Sequence, residues 1–374
     1  MPGLRITILG LTITSSWGNG HATTYRGLVR GLANRGHDVL FLECDKPWYR
    51  DNRDLPEPPW GATRLYGGAG DLEGALLPAL RDADLVIVGS YVPDGVRVGH
   101  LAQRAAHGVV AFYDIDTPVT LAALDAGRCE YLTPDLLPGY ALYLSFTGGP
   151  TLADLERRGA PMARALYCSA DPETHRPVLE AEPRWDLGYL GTYSDDRQPT
   201  LDRLLCEPAR CWPEGRFCVA GPQYPDAIAW PANVARTMHL SPDKHRRFYA
   251  ESRWTLNVTR AEMVRRGWSP SVRLFEAACC GVPVISDWWE GLDHFFKPGE
   301  EIVIARDPAA SLAALREMPE AHRQAIAGRA RTRVLAAHTG DHRALELEGY
   351  YAEALAARGP AKRAPRHAFG RARP

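Results

Sequence analysis

The strongest fold signal in the sequence is residues 269–287, which read SPSVRLFEAACCGVPVISD. Pro270 and Ser271 can begin a helix, Gly281 can end it, and an apolar strand follows at once. A helix that leads directly into a buried strand is typical of a parallel sheet covered by helices. We therefore predict a helix and then a strand of an α/β domain here.

The first turn of this helix has the chemistry of an anion site. Ser271 can cap the helix, and the amides of its first turn can bind phosphate oxygens. We expect this role for the amides near Val272 and Arg273, with Arg273 adding positive charge, and we also count Leu274 among the donor-binding residues. Glu276 lies one turn further along among apolar neighbours and can accept hydrogen bonds from a vicinal diol such as ribose; the alternative is a solvent-facing Glu.

Apolar runs alternate with helical patterns on both sides of this segment, which predicts two parallel sheets. The predicted fold class is α/β, with two Rossmann-like domains facing across a cleft. We also consider a return of the C-terminal helices to the N-terminal domain. The predicted boundaries are an N-terminal domain at 1–170, a linker at 171–184, a C-terminal domain at 185–338, a C-terminal helix at 339–358 and a basic, disordered tail at 359–374.

The composition favours a small-molecule substrate over a polyanion. The 374 residues contain 44 Lys and Arg against 45 Asp and Glu, so no net positive field attracts nucleic acid or an anionic membrane. No apolar run reaches the roughly 20 residues of a membrane span. The eight cysteines form no CxxC pair and no zinc-ligand pattern. We expect a cytoplasmic protein with reduced thiols.

The motif at 269–287 resembles the nucleotide-sugar motif of glycosyltransferases with the GT-B fold, particularly the CgeB-like (spore maturation protein) group. The resemblance covers most of the C-terminal half. In related retaining enzymes a Glu of this helix holds the donor ribose, and the resemblance assigns that role to Glu276. A second Glu eight positions upstream is common in those relatives, whereas this chain has Trp268. Retention or inversion therefore stays open.

Other strand ends of the C-terminal half complete the predicted donor site. Thr192 and Arg197 follow a predicted strand and can bind a β-phosphate, although an ion pair of Arg197 with Asp195 or Asp196 is the ordinary alternative. Small residues at the end of the next strand let a nucleobase approach the backbone, and Asn257 ends a third strand. The donor-binding prediction outside the helix is Gly191, Thr192, Tyr193, Arg197, Gly221, Pro222 and Asn257.

The N-terminal half supplies the candidate catalytic groups. The loop at Gly18, Asn19 and Gly20 precedes a helix and can form an anion or sugar pocket. His21 follows it and can act as a general base, or simply cap the helix. Asp114 and Asp116 end a buried strand and can orient acceptor hydroxyls, act as a base or cap the next helix.

These features predict a glycosyltransferase that moves a sugar from a nucleotide-diphosphate sugar to an unidentified acceptor. No cofactor and no metal are expected, because the helix amides, Arg197 and Arg273 can stabilise the leaving group and DID at 114–116 only superficially resembles a metal-binding pair. The alternatives are a nucleotide-sugar epimerase, an NAD-dependent dehydrogenase supported by Glu43 at a strand end, and a nucleotide-sugar-binding protein without transfer activity. The oligomeric state cannot be read from the sequence.

Overall fold

The chain divides into two compact units in the computed structural model. The model describes residues 3–17, 20–178 and 180–358, so the predicted tail at 359–374 lies outside the described residues. The first unit contains residues 3–17, 21–167 and 340–358, and the second contains Gly20 and residues 168–339. Within the described ranges no helix is both long and apolar enough to cross a membrane.

The first unit is built on seven strands. They are β1 Arg5–Gly10, β2 Asp38–Cys44, β3 Ala62–Tyr66, β4 Leu85–Gly89, β5 Val109–Asp114, β6 Leu142–Ser145 and β7 Ala163–Ala165. All pairings are parallel, in the order β3-β2-β1-β4-β5-β6-β7. The central strands β4 and β5 are buried along their whole length, as expected of a sheet covered on both faces.

Helices connect these strands. They are α1 His21–Asn34, α2 Pro47–Arg50, α3 Ala69–Glu73, α4 Leu77–Arg81, α5 Gly95–Ala105, α6 Thr117–Asp125 and α7 Pro150–Arg157, with a 3₁₀ helix at Pro134–Gly139. The strands and helices enclose a core of buried side chains that includes Leu42, Val86, Phe112 and Tyr143. Burial of this apolar surface is the main force that holds the layers together.

The second unit repeats the same plan with six parallel strands. They are β8 Trp185–Leu190, β9 Phe217–Ala220, β10 Val234–Thr237, β11 Ser252–Asn257, β12 Val284–Ser286 and β13 Val303–Ile304, in the order β10-β9-β8-β11-β12-β13. Its helices are α8 Gln198–Leu201, α9 Glu207–Cys211, α10 Pro242–Ala250, α11 Ala261–Arg266, α12 Val272–Cys279, α13 Leu292–Phe295, α14 Pro308–Arg316 and α15 Glu320–Ala337, with a π-helical turn at Asp202–Cys206. This is the strand order of a Rossmann fold.

The last helix, α16 at Gly340–Ala357, belongs to the first unit, so the chain passes between the units at 167–168 and again at 339–340. The predicted return to the N-terminal domain is confirmed for this helix. It packs on α1, where Glu348 accepts hydrogen bonds from Arg35 at 2.5 Å and lies 2.8 Å from His37 Nε2. These contacts lower the pKa of Glu348 to about 2, chiefly through its hydrogen bond with Arg35.

Two edge strands were not predicted. Strand β3 is mostly exposed and reads ATRLY, and β10 is only partly buried and reads VART. Both lack the continuous apolar run that marks the central strands, because an edge strand need not be covered on both faces.

The contact between α16 and α1 depends on glycine. A Cβ atom added at Gly340 would lie 2.2 Å from the Gly27 carbonyl oxygen, so Gly340→Ala forces the two helices apart. We expect it to lower the free energy of unfolding by about 1–3 kcal/mol, the usual cost of overpacking. Gly349→Ala is the matched control on the same helix, because a Cβ there meets nothing within 4 Å. It should stabilise the helix by up to about 1 kcal/mol. Urea unfolding of both variants tests this, and equal stabilities would contradict the close packing.

Candidate active site

The predicted donor residues lie at the carboxyl edge of the second sheet. Strands β8 and β11 are neighbours there, and the strand order reverses between them. In sheets of this type, ligands bind in the crevice outside the strand ends at that reversal. The loop that follows Leu190 and the loop that follows Asn257 border this crevice.

Arg273 occupies this position. Its Nε donates a hydrogen bond to the Leu190 carbonyl and its Nη1 donates to Asn257 Oδ1 at 2.9 Å. The guanidinium also stacks over the Tyr189 ring at 4.8 Å. Nη2 makes no hydrogen bond to any described residue, so its donors remain available to an anion. The sheet edge and the start of α12 therefore present a fixed positive charge.

Ser271 occupies the N-cap position of α12, but its side chain does not cap the helix as predicted. Its hydroxyl donates to Asn257 Oδ1 at 2.6 Å instead. The Asn257 amide in turn donates to Thr259 Oγ1 at 3.2 Å and Ser286 Oγ at 3.0 Å. The Thr259 hydroxyl also donates to Asp287 Oδ1 at 2.9 Å. Burial raises the pKa of the Asp287 carboxyl. Asn257 thus links the start of α12 to two strand ends.

The predicted first-turn amides are not equivalent. The Leu274 amide donates to the Ser271 carbonyl at 3.1 Å, and its side chain is fully buried. Leu274 therefore packs in the core with its amide already used within the helix, which does not support its place among the donor-binding residues. Val272 and Arg273 are the first two residues of the helix, and their amides precede the first intrahelical hydrogen bonds.

The loop after β8 holds Gly191, Thr192 and Tyr193. Arg197 Nη2 donates to the Thr192 carbonyl at 3.0 Å, so this side chain braces the loop. The alternative ion pair of Arg197 with Asp195 or Asp196 is not formed within the described ranges. Asp195 accepts from the Tyr193 hydroxyl at 2.5 Å, and Asp196 accepts from the Ala261 amide at 2.8 Å and faces Arg260 at 3.9 Å.

Gly221 has a reason to be glycine that differs from the predicted one. Its φ is +152°, and an added Cβ would lie 1.9 Å from the Gly191 carbonyl oxygen. The loops after β8 and β9 therefore touch through their backbones, and the Tyr193 amide donates to the Pro222 carbonyl at 3.1 Å. Gly221 and Pro222 therefore shape the loop after β8 through backbone contacts.

An aromatic cluster beside this loop was missed in the sequence. Tyr224 donates from its hydroxyl to the Gly191 carbonyl at 3.1 Å, and its ring packs edge-on against Tyr193 at 5.4 Å. The Arg236 guanidinium lies 4.0 Å from the Tyr224 ring centroid and 4.6 Å from that of Trp230. The only sequence signal was the aromatic-rich segment QYPDAIAW after β9.

Glu276 is buried, with 3% of its surface exposed, so the solvent-facing alternative is wrong. Tyr249 donates to its Oε2 at 3.2 Å. His175 Nε2 lies 3.5 Å from Oε1, and His245 Nδ1 lies 3.8 Å from Oε2. The carboxylate is therefore surrounded by polar groups of the protein itself, of which Tyr249 donates a hydrogen bond.

Trp268 has a positive φ of +50°, which is unusual for a large side chain. Its amide donates to the Glu290 carbonyl at 2.7 Å, and its ring lies 5.4 Å from the His294 ring. Its indole Nε1 is buried without a hydrogen-bond partner. A donor group held in a strained conformation is a candidate for ligand contact.

In the first unit, Tyr91 joins two of the predicted catalytic residues. His21 begins α1, and its ring packs edge-on against Tyr91 at 5.4 Å. The Tyr91 hydroxyl donates to Asp116 Oδ2 at 3.1 Å, and Tyr91 has a φ of +63°. Burial lowers the pKa of His21 to about 4. The ring is therefore neutral at pH 7, but it is a weaker base than an imidazole with a pKa near 7.

Asp114 is fully buried, so the prediction that it faces the cleft as a catalytic carboxylate receives no support. It accepts hydrogen bonds from Tyr143 at 2.6 Å and Thr120 at 2.8 Å. Desolvation raises the pKa of Asp114 to about 6.

Asp116 is the N-cap residue of α6, but its side chain makes no capping hydrogen bond.

The hydrogen bonds of Glu43 do not support the alternative that the chain is a dehydrogenase. Its carboxylate accepts hydrogen bonds from the Ile13 amide at 2.7 Å, the Thr14 amide at 3.0 Å and the Thr14 hydroxyl at 2.6 Å. It therefore fixes the loop after β1 and is not placed to bind a ribose. The predicted loop residues Gly18 and Asn19 lie outside the described residues, and Gly20 is exposed one residue before α1.

Comparisons with known proteins agree with this architecture. Residues 197–349 match a family model described as glycosyl transferase-like. A search of curated proteins finds no significant match. The fold is similar to sucrose-phosphate synthase from Thermosynechococcus elongatus (16% identity, 94% of this chain and 100% of that one, TM-score 0.67). It is also similar to Anabaena HepE in complex with UDP and glucose (14% identity, 94% of this chain and 99% of that one, TM-score 0.67). A third similar structure is an alpha-glucosyltransferase in complex with UDP (11% identity, 94% of this chain and 100% of that one, TM-score 0.69).

The family match covers most of the second unit, including α12 and the strand ends that carry Asn257 and Ser286. The structural similarity covers both sheets. The chain has the GT-B fold of these structures, and most of its second unit matches the glycosyl transferase-like family.

Proposed function

We propose that the chain transfers a sugar from a nucleoside diphosphate sugar to an acceptor, with the donor bound by the second unit. The observation that carries this proposal is Arg273, which is fixed at the strand-order reversal with unused donors on Nη2. A guanidinium at the start of a helix is well suited to a diphosphate, because it adds charge and forked hydrogen bonds to the helix amides.

Transfer breaks the bond between the sugar and the diphosphate, and negative charge develops on the departing oxygen. Arg273 and the first amides of α12 would stabilise that charge without a metal ion. Arg197 supports the same region through the Thr192 carbonyl. We propose that Glu276 accepts hydrogen bonds from the ribose hydroxyls, which requires its carboxylate to exchange a present neighbour for the ligand.

For the nucleobase of the donor and for the acceptor, we propose only a first candidate and the unit that binds it. HepE and the alpha-glucosyltransferase are complexes with UDP, so uridine is the first base to test. Acceptor binding falls to the first unit, where His21, Tyr91 and Asp116 form a connected polar set. The motif at 269–287 favours membership of the CgeB-like group. The eight cysteines form no disulfide, which fits a cytoplasmic location.

Ligand-dependent thermal stability tests the donor proposal. We expect UDP and its sugar to raise the melting temperature, since a ligand at 100 times its Kd adds about 2.7 kcal/mol of stability. The shift should persist in EDTA, shrink in Arg197→Ala and stay unchanged in Arg265→Ala, a control at an exposed position of α11. A shift with NAD alone, or a UDP shift that EDTA abolishes, would contradict the proposal.

Product analysis separates transfer from the other readings. Incubation with UDP-glucose should release UDP and glucose slowly through water as a substitute acceptor. Conversion of the sugar to its epimer would instead favour an epimerase, and tight binding with no turnover in the presence of candidate acceptors would favour a binding protein.

A further inference from the structure

Two histidines and a glutamate from three different elements converge inside the second unit. His175 lies in the segment before β8, His245 on α10 and Glu276 on α12. One ring nitrogen of each histidine and one carboxylate oxygen all lie within 4.8 Å of one another. His175 and Glu276 each expose only 3% of their surface.

The protonation of His245 is set by its surroundings. Its Nε2 lies 3.1 Å from the Leu240 carbonyl oxygen, which can only accept a hydrogen bond, so this nitrogen carries the proton. The lone pair of Nδ1 is then left to face Glu276 Oε2 across 3.8 Å, and Nδ1 has no hydrogen-bond partner. Two electron-rich atoms that face each other require a cation or a proton between them.

His175 also lacks hydrogen-bond partners for its ring nitrogens. Its side chain is buried, and Nε2 lies 3.5 Å from Glu276 Oε1. A buried polar group without a partner costs about 1–3 kcal/mol. Such a group in a native structure usually has a ligand or another role that compensates.

We propose that His175, His245 and Glu276 bind a divalent transition-metal ion, with Zn²⁺ as the best fit. Two imidazoles and one carboxylate, with a water in the fourth position, form a familiar zinc ligand set. Metal–ligand bonds of about 2.0–2.1 Å place neighbouring ligand atoms about 3.3 Å apart, so the three ligand atoms, which lie within 4.8 Å of one another, would move closer together around the ion.

The surrounding contacts match those expected around metal ligands. The Leu240 carbonyl orients His245, and the Tyr249 hydroxyl orients the carboxylate at 3.2 Å. The ion would connect the segment before β8 to α10 and α12. Glu276 is also the residue proposed to bind the ribose, so the metal-bound and the donor-bound states of the chain are alternatives.

Metal binding by the whole chain, free of affinity tags and without nucleotide, tests this proposal. After treatment with EDTA and its removal, titration with Zn²⁺ followed by calorimetry should give one site per chain. Co²⁺ in place of Zn²⁺ should give the visible absorption of a four-coordinate site. No saturable binding, or a cobalt spectrum of the hexa-aqua ion, would overturn the proposal.

Variants assign the site. His175→Gln and His245→Gln should each weaken Zn²⁺ binding at least 100-fold, whereas His322→Gln, at an exposed position of α15, should bind like the unchanged chain. Tyr249→Phe keeps all three ligands and should weaken binding about tenfold. It serves as the second test if a histidine variant fails to fold. Unchanged affinity in the histidine variants would place the metal elsewhere.

UDP-induced stabilisation of the same samples in EDTA keeps the two proposals separate. A chain that binds UDP but no Zn²⁺ would disprove the metal site and leave the donor proposal standing. A chain that binds Zn²⁺ but no UDP would disprove the donor proposal and leave the metal site standing.

Discussion

Replacing Arg273 with Met is expected to raise the Kd for UDP about 10- to 100-fold and to lower the rate of UDP release from UDP-glucose about 10²- to 10³-fold. A hydrogen bond to a charged group contributes about 1.5–3 kcal/mol, which sets the loss in affinity. The larger loss in rate follows because negative charge on the diphosphate grows as the sugar leaves. Calorimetry and coupled detection of released UDP measure the two effects.

Two further variants make this prediction specific. Arg273→Lys keeps the positive charge but loses the forked donor geometry and the stacking on Tyr189, so it should fall between Met and Arg. Arg265→Met removes an exposed arginine of the same unit and should change neither quantity. Because Arg273 also holds Leu190 and Asn257, the melting temperature of each variant must be measured without ligand. A folded Arg273→Met chain with unchanged UDP affinity would refute the donor site.

Asp114→Asn is expected to change how stability depends on pH. The pKa of Asp114 rises from its ordinary value of 3.8 to about 6 because burial disfavours the charged carboxylate. The folded chain therefore binds this proton more tightly than the unfolded chain. That contribution to stability is complete below pH 3.8 and is lost as the pH rises through 6.

The expected size of this effect is about 2–3 kcal/mol. From pH 4 to pH 7, the free energy of unfolding of the unchanged chain should fall by that amount relative to that of Asp114→Asn. The size follows because each pKa unit of difference between the folded and unfolded chain corresponds to about 1.4 kcal/mol. Urea unfolding at several pH values measures the difference. Asp51→Asn, at an exposed position of the same unit, is the control and should run parallel to the unchanged chain. Parallel curves for Asp114→Asn as well would show that Asp114 titrates normally.

The parts of the fold that were predictable are those in which one short segment contains the whole signal. Segment 269–287 predicted α12 and β12, because the helix start, the glycine at its end and the apolar strand are adjacent. The edge strand β3 has no such signal, because its side chains are mostly exposed. Local patterns predict elements whose burial is uniform and miss those whose pairing alone makes them strands.

The site was predictable at the level of strand ends but not of contacts. Glu276 was identified by its apolar neighbours, yet its partner His175 lies about one hundred positions earlier and carries no local mark. Tyr91 was missed for the same reason, since only the folded sheet brings it against His21 and Asp116. The capping role given to Ser271 was reasonable from its position and is wrong, because its hydroxyl is directed toward Asn257 Oδ1 and accepts no hydrogen bond from the first amides of α12.

The double passage between the units makes the second unit an insertion within the first. Its two ends meet, since the Ala170 amide donates to the His338 carbonyl at 2.9 Å and Ala170 pairs with Thr339. A gene fragment for residues 168–339 therefore encodes all six strands of the second sheet as one continuous piece. A fragment for residues 1–167 lacks α16, the helix that packs on α1, so the first unit is not encoded by one continuous piece.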